Sequence, residues 1–162
     1  MTWREQYPLE STKPLKKTLA SVGIVVIILI IGSIVAYVKS VGQESIPLTT
    51  LWLWAIPIGI IAFILKYIYE VFYMKYYFYD ATSDVISIKK GVFSRNEITL
   101  PFKRLQDVYV DQDILDRIFG LYDVHVSSAT STSATLSHID GLNKDNAEKV
   151  KTLLLEKIHK GN

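Results

Sequence analysis

The N-terminal half of this chain carries two long segments that contain no charged residue. Residues 19–38 form a run of twenty, and residues 48–65 form a run of eighteen. At about 1.5 Å per residue, a helix of the first length spans about 30 Å, the thickness of the hydrocarbon core of a bilayer. The alternative is a pair of buried helices in a soluble protein, but the rest of a 162-residue chain is too short to enclose both. We therefore predict two transmembrane helices.

The first segment has one further interpretation, a cleaved signal peptide, because Lys16 and Lys17 precede it. Its apolar core is longer than the ~7–15 residues of such peptides, and no small-residue cleavage site follows it. A second apolar segment also comes soon after. We expect a retained membrane anchor.

Lysine and arginine on the short flanks predict the orientation. The N-terminal flank carries Arg4, Lys13, Lys16 and Lys17, whereas the connection between the segments carries only Lys39. Both termini are therefore expected to be cytoplasmic, in a multi-pass protein of the cell membrane. The predicted organisation is a cytoplasmic N-terminal flank (1–18), a first transmembrane helix (19–38), an outer loop (39–47), a second transmembrane helix with an interfacial extension (48–74) and a cytoplasmic domain (75–162).

The interiors of both segments favour anchoring over transport. A channel or transporter needs charged or polar groups at mid-depth, and these segments offer little beyond Ser33 and glycines. Lys66 and Glu70 are spaced to pair along the second helix. An aromatic belt is expected at its inner end, formed by Tyr67, Tyr69, Phe72, Tyr73, Tyr76 and Tyr77.

After residue 76 the pattern changes to short alternating segments, which is typical of a small antiparallel sheet. Strands are predicted at 85–88, 97–100, 108–110, 122–126 and 136–139. A short helix places Ile114, Leu115, Ile118 and Phe119 on one apolar face and ends at Gly120. An amphipathic helix begins at Asn143 as its N-cap. The predicted fold is membrane-anchored α+β, with an antiparallel β-barrel or sandwich capped by the C-terminal helix.

The sequence LPFKRLQDV at residues 100–108 resembles the IP-x-x-R-I-Q-D-V signature of the bacterial pleckstrin-homology-like (PH-like), membrane-flanked domain family. Further similar positions are Val110, Gln112, Leu115, Arg117, Gly120, Leu121, Val124, Val126, Gly141 and Leu142. The resemblance implies two transmembrane helices followed by one PH-like barrel with a C-terminal helix, in a prokaryotic membrane protein. Residues 127–137 depart from it, because a Ser/Thr-rich stretch replaces the Gly-containing hairpin of the family. The signature residues are expected to be structural, with Asp107 pairing with Arg104 or Arg117.

Several classes of function are not indicated. The chain has no cysteine, so it offers no disulfide, thiolate nucleophile or Cys-based zinc site. Residues 80–162 carry eleven basic and twelve acidic side chains, net −1, which lacks the basic footprint of a nucleic-acid-binding domain. The serines of 127–137 lie in no nucleophile motif.

Metal sites are not predicted either. The carboxylates Asp107, Asp111, Asp113 and Asp116 lack the glycine and terminal glutamate of a calcium loop. His125 and His138 are expected on opposite faces of the sheet, if Leu136 shares the face of Val124 and Val126. We therefore predict no enzyme activity, no cofactor, no metal and no small-molecule substrate.

What remains is a binding surface. The candidate contacts for lipid or a partner are Lys89, Lys90, Arg95, Lys103 and Arg104. The sequence predicts a non-enzymatic integral membrane protein that presents a cytoplasmic PH-like domain for assembly with a protein partner or with a second copy of the chain. The alternative function is sensing of anionic lipid headgroups by the basic turn, since each basic side chain near a membrane contributes about 1 kcal/mol.

Overall fold

A computed structural model describes residues 1–40, 48–128 and 137–161. Most of the predicted outer loop 39–47 and most of the Ser/Thr-rich stretch 127–137, including Leu136, therefore lie outside the described residues. The helices are α1 (Trp3–Gln6), α2 (Lys13–Ser40), α3 (Leu48–Tyr76), α4 (Ile114–Phe119) and α5 (Lys144–Gly161). The strands are β1 (Phe78–Ala81), β2 (Val85–Lys90), β3 (Asn96–Pro101), β4 (Leu105–Asp111), β5 (Tyr122–Ser128) and β6 (His138–Leu142).

The chain forms two compact units. One consists of residues 14–70 and contains most of α2 and α3. By length and composition alone, Lys13–Val38 and Trp52–Tyr76 are apolar enough to cross a membrane, with mean hydropathies of 2.9 and 1.8. The expected ion pair on α3 is confirmed, because Lys66 Nζ lies 2.6 Å from Glu70 Oε1.

The other unit combines residues 1–13 with residues 71–162 and contains two antiparallel sheets. The strand orders are β1-β2-β3 and β4-β5-β6. Pro101 ends β3, and a 3-10 turn over Phe102–Arg104 then leads into β4. Because proline cannot donate to a ladder and the turn redirects the chain, β4 begins a new sheet. The described strands therefore form two separate sheets, and the barrel of the prediction is not closed.

The core of this unit is built from alternate strand residues and one face of α5. Val124 and Ile139 are paired across β5 and β6 and are fully buried. Helix α5 contributes Ala147, Val150 and Leu154, which are also fully buried. Its predicted N-cap is confirmed, since Asn143 Oδ1 accepts a hydrogen bond of 2.8 Å from the Asn146 amide. The helix packs against β4 and β5.

The N-terminal segment is part of the same unit, which the sequence analysis did not predict. Trp3, Tyr7 and Leu9 are buried in its core, and the Trp3 amide donates to Asp80 Oδ1 at 3.0 Å. Strand β1 was also missed. It begins directly after α3, and the expected place of Tyr77 in a membrane-interface belt is wrong, because Tyr77 is only 1% exposed within this core. The N-terminal segment covers the Tyr77 side chain.

Candidate functional site

Helix α4 is short but firmly held at both ends. Asp113 is its N-cap: the Asp116 amide donates to Asp113 Oδ1 at 2.6 Å, and the Asp113 amide donates to Asp116 Oδ2 at 3.4 Å. Gly120 ends the helix in the left-handed conformation at φ +66°. Leu121 follows and is fully buried. These caps fix the conformation of the helix at both of its ends.

The outer face of α4 carries two isoleucines that the domain does not bury. Ile114 is 80% exposed and Ile118 is 70% exposed. They are four residues apart and therefore lie on the same face of the helix. The predicted short helix that ends at Gly120 is confirmed. Its apolar residues differ in exposure, because Leu115 and Phe119 are partly buried, whereas the two isoleucines point outward. Two large aliphatic side chains on a capped helix are a surface that a partner can bury.

The predicted basic residues do not form one surface. Lys89 Nζ pairs with Glu97 Oε1 across the β2–β3 hairpin at 3.1 Å. Lys90 is only 6% exposed, and its ammonium group lies 5.2 Å from the centre of the Tyr77 ring. Lys89 and Arg95 are both exposed, and the Arg95 guanidinium lies 5.4 Å from the centre of the Tyr76 ring. The turn therefore presents much less positive charge than the sequence indicates.

Lys103 and Arg104 lie elsewhere. They follow Pro101, which pairs with Val85 at the end of the hairpin opposite Lys90. Strands β2 and β3 have six residues each, and a strand rises about 3.3 Å per residue. The basic residues at the turn are therefore separated from Lys103 and Arg104 by roughly the length of the hairpin. The described geometry thus does not favour a concentrated site for an anionic headgroup.

Two histidines and a tyrosine form a stacked row across β4, β5 and β6. The Tyr109 and His125 rings are 4.8 Å apart at an interplanar angle of 3°, and the His125 and His138 rings are 5.3 Å apart at 20°. The predicted placement of the histidines on opposite faces is wrong, because Val124 pairs with Ile139 and brings His138 directly opposite His125. Burial lowers the pKa of His125 below 6.5.

A metal centre does not result from this row. Within residues 1–40, 48–128 and 137–161, no group of three or more His, Asp or Glu side chains is arranged to hold a metal ion. Asp113 and Asp116 are instead occupied in capping α4. Asp111 Oδ1 accepts a hydrogen bond of 2.7 Å from the Gln112 amide.

Large apolar residues of the signature and of the positions similar to the family lie in the interior of the domain. Leu100, Phe102 and Leu105 are buried in the core, as are Leu121 and Leu142. The expected ion pair of Asp107 with Arg104 or Arg117 is not seen among the described residues, where all three side chains are exposed.

The whole sequence was also compared with known proteins. It matches the model of the bacterial PH domain over residues 14–158, which is nearly its entire length. The chain belongs to the bacterial PH domain family. No curated protein and no solved structure gave a match. The family assignment agrees with the resemblance of residues 100–108, and two sheets with a C-terminal helix fit a PH-like fold.

This bacterial PH domain protein also contains a buried polar cluster that sequence reasoning missed. Lys13 and Asp140 form an ion pair of 3.0 Å, with side chains that are 3% and 5% exposed. The Lys13 ammonium lies 4.1 Å from the centre of the Tyr77 ring, and the Tyr77 hydroxyl donates to the His138 carbonyl at 2.8 Å. Burial raises the pKa of Tyr77 well above 10, and the Asp140 carboxylate raises it further.

The sequence contains only part of the information that is needed to predict this cluster. Lys13 is one of four basic residues before the first apolar segment and was interpreted as a topology determinant. Asp140 is a lone acid within an apolar strand, which is unusual at a buried position. Nothing in the sequence connects the two residues, because 127 positions separate them. The cluster joins the N-terminal segment to the second sheet.

Proposed function

We propose that this protein is a non-enzymatic integral membrane protein whose PH domain lies on the cytoplasmic side of the cell membrane and assembles with a protein partner or a second copy of the chain. The proposed assembly is supported by one observation: Ile114 and Ile118 point outward from a helix that is capped at both ends. The interface that we propose consists of this pair and the polar residues around it.

The energetics favour a protein partner for this face. Burying one aliphatic side chain contributes about 1.5–3 kcal/mol, so the pair could supply a substantial part of a binding energy. Arg117 and Gln112 border a shallow cavity of 480 Å³ beside Ile114. An apolar centre with a polar, arginine-containing rim is the usual composition of a protein interface. Because α4 is already capped, little conformational entropy is lost on binding.

Membrane anchoring is supported by chain connectivity. Residues 1–13 and 71–162 pack as one unit, so they must lie on the same side of any membrane that the chain crosses. A chain that leaves this unit along α2 and returns along α3 crosses twice. The two candidate spans, Lys13–Val38 and Trp52–Tyr76, provide the apolar length for these crossings.

The cytoplasmic placement is supported by charge. The N-terminal flank carries Arg4, Lys13, Lys16 and Lys17, whereas the connection carries Lys39 alone among lysines and arginines. The positive-inside rule therefore still favours a cytoplasmic PH domain. A non-catalytic role is supported by the sequence, in which no serine lies in a known nucleophile motif.

The test compares the parent with an Ile114→Asp/Ile118→Asp variant. Affinity-tagged protein is solubilised in detergent from its native membrane, and the bound proteins are identified by mass spectrometry. We expect the parent to retain a specific partner or an untagged second copy, and the double variant to lose it. A charge at the centre of an apolar interface leaves a buried group without compensation.

A Phe93→Asp variant is the matched control, because Phe93 is a similarly exposed apolar residue of the same domain. It should retain the partner. The double variant should also unfold at the temperature of the parent, since both isoleucines are exposed. Equal recovery of the partner by the parent and the folded double variant would contradict this interface.

A further inference from the structure

The sheet of β4, β5 and β6 has one face that is directed away from the core. In β4, the alternate residues Val108 and Val110 pair with the buried Val126 and Val124 and lie on the core side. The residues between them lie on the outer face, where cross-strand pairing forms three rows: Asp107 with Ser127, Tyr109 with His125 and His138, and Asp111 with Asp123. All seven of these residues are exposed or partly exposed, so this face lies at the surface of the domain.

Tyr109 is at the outer end of the stacked row. Its side chain is 52% exposed, although one face of its ring stacks on His125 at a centroid distance of 4.8 Å. Strand β4 is an edge strand, because it pairs with β5 on one side and with no described strand on the other. The second face of the Tyr109 ring is therefore directed past the edge of the sheet. A planar group placed there would extend the row by one member.

Two exposed carboxylates flank this ring. Asp107 and Asp111 are two residues before and after Tyr109 on the same face of β4, so their Cα atoms lie about 7 Å from that of Tyr109. Neither carboxylate forms an ion pair with a lysine or arginine among the described residues. The outer face of the three strands also carries no lysine or arginine of its own. It therefore offers an aromatic ring between two negative charges.

This combination matches the chemistry of an arginine side chain. A guanidinium group is planar and always charged, stacks on aromatic rings and donates a fork of N–H groups to carboxylates. A lysine ammonium has no planar surface for stacking. The phosphates of a lipid headgroup or a nucleic acid would be repelled by the two carboxylates. Charge complementarity therefore favours a basic protein segment over a membrane or a nucleic acid.

We propose that an extended, arginine-containing segment of a protein partner docks along β4, with one arginine stacked on Tyr109 between Asp107 and Asp111. An edge strand presents unpaired backbone groups to such a segment, and residues directly opposite each other on paired strands share a face. An added strand places its arginine in line with the stacked row, and basic residues two positions away face the carboxylates. This surface uses none of the α4 residues and goes beyond the assembly proposed for them.

The test uses full-length protein in a non-ionic detergent and a fluorescein-labelled peptide of alternating arginine and valine, with binding followed by fluorescence anisotropy. In two matched peptides, citrulline or lysine replaces arginine; citrulline keeps the planar shape without the charge. We expect the arginine peptide to bind, the lysine peptide to bind several-fold more weakly and the citrulline peptide not to bind. Absence of binding by the arginine peptide, or equal binding of the citrulline peptide, would overturn the proposal. Equal competition by the amide of a single acetylated arginine would refute docking of a strand.

Variants of the face locate the peptide. Tyr109→Ala should weaken binding by about three- to fivefold, whereas Tyr109→Phe keeps the ring and should bind like the parent. Asp107→Asn/Asp111→Asn should weaken binding by about tenfold.

Asp145→Asn/Glu148→Gln is the matched control, because it removes two exposed carboxylates from α5 instead, and it should leave the affinity unchanged. All the substituted side chains are exposed, so each variant should unfold at the temperature of the parent. Equal losses in the two double variants, or full affinity in a folded Tyr109→Ala variant, would overturn the proposal in favour of non-specific attraction.

Discussion

The Lys13 ammonium group lies 3.0 Å from Asp140 Oδ1 and 2.9 Å from the Asp140 carbonyl oxygen, although 127 positions separate the two residues. Lys13 is the first residue of α2, and Asp140 is the central residue of β6. The pair therefore attaches the N-terminal segment to the second sheet, within one compact unit. If the chain crosses a membrane twice, as we propose, the pair holds the N-terminal flank and the PH domain on one side of the bilayer.

Removing one partner of this pair should strongly destabilise the domain. Lys13→Met leaves the Asp140 carboxylate buried without its counter-charge, which typically costs about 3–5 kcal/mol. The measurement is denaturant unfolding of the full-length protein in detergent. Lys103→Met is the control, because Lys103 is exposed, and it should change stability little. Equal stability of the two variants would show that the ion pair does not hold the unit together.

We expect glycine to be required at position 141, next to the Lys13 side chain. It has φ +84°, and a Cβ there would lie 2.5 Å from Lys13 Cδ. Gly120 has φ +66° but nothing within 4 Å of its would-be Cβ, so it is a matched control. Alanine at Gly120 should cost about 1–2 kcal/mol from backbone strain alone. Alanine at Gly141 should cost more, by about 1–3 kcal/mol of overpacking. Equal losses in unfolding experiments would mean that Lys13 moves aside freely.

Much of the PH domain could be predicted because its signals are local. Alternation located β2 to β5 to within a few residues, and Asn143 marked the start of α5 through its capping side chain. Strand β1 was missed because it continues an aromatic run from α3, and the apolar pattern does not change at the boundary. The N-terminal contribution was missed because burial of Trp3 depends on residues far along the chain.

The candidate surfaces were harder to predict, because exposure depends on the tertiary structure. Ile114 and Ile118 have the same local pattern as core residues, and only the packing of α4 shows that they face outward. For the basic residues, the sequence leads to an overestimate of the exposed positive charge, because it does not show that Lys90 is buried. His138 was assigned to the wrong face of the sheet, because a shift of one residue in the strand register moves every side chain of the strand to the opposite face.

Acidification should destabilise the domain through His125. Its pKa is lowered chiefly by burial; Lys90 also lowers it, while Asp111 and Asp140 act in the opposite direction. As the pH falls, His125 therefore takes up its proton near pH 6.5 in the unfolded chain and only at a lower pH in the folded domain. The free energy of unfolding should be at its full value above pH 6.5 and should decrease as the pH falls from 6.5 toward the folded-state pKa.

Thermal unfolding between pH 7.5 and 5 measures this dependence, and His125→Phe should flatten it. Phenylalanine preserves the stacking of Tyr109 and His138 on either side of the ring. His159→Phe changes an exposed histidine of α5 and should leave the pH profile unchanged. A His125→Phe profile that coincides with that of the parent would assign the pH dependence to other groups.

Helix α5 should be essential for the fold of the domain. Leu154 is fully buried, so Leu154→Asp places a charge in the core without a partner and costs several kcal/mol, of the order of the total stability of a small domain. Thr152→Asp introduces the same charge on the exposed side of the helix. Near-ultraviolet circular dichroism should show loss of aromatic packing in the first variant only. A native spectrum for Leu154→Asp would show that the helix is dispensable to the core.

Cysteine labelling should place both termini on the cytoplasmic side. Single cysteines at Ser11, Gln43 and Thr152 are treated with an impermeant reagent on intact cells, and again after permeabilisation as a positive control. Ser11 and Thr152 belong to the same compact unit and must react alike in either orientation, whereas the charge bias predicts that Gln43 alone is labelled on intact cells. Labelling of Thr152 but not Gln43 would reverse the orientation. Labelling of Ser11 without Thr152 would contradict the double crossing, because the ion pair between Lys13 and Asp140 cannot form across a bilayer.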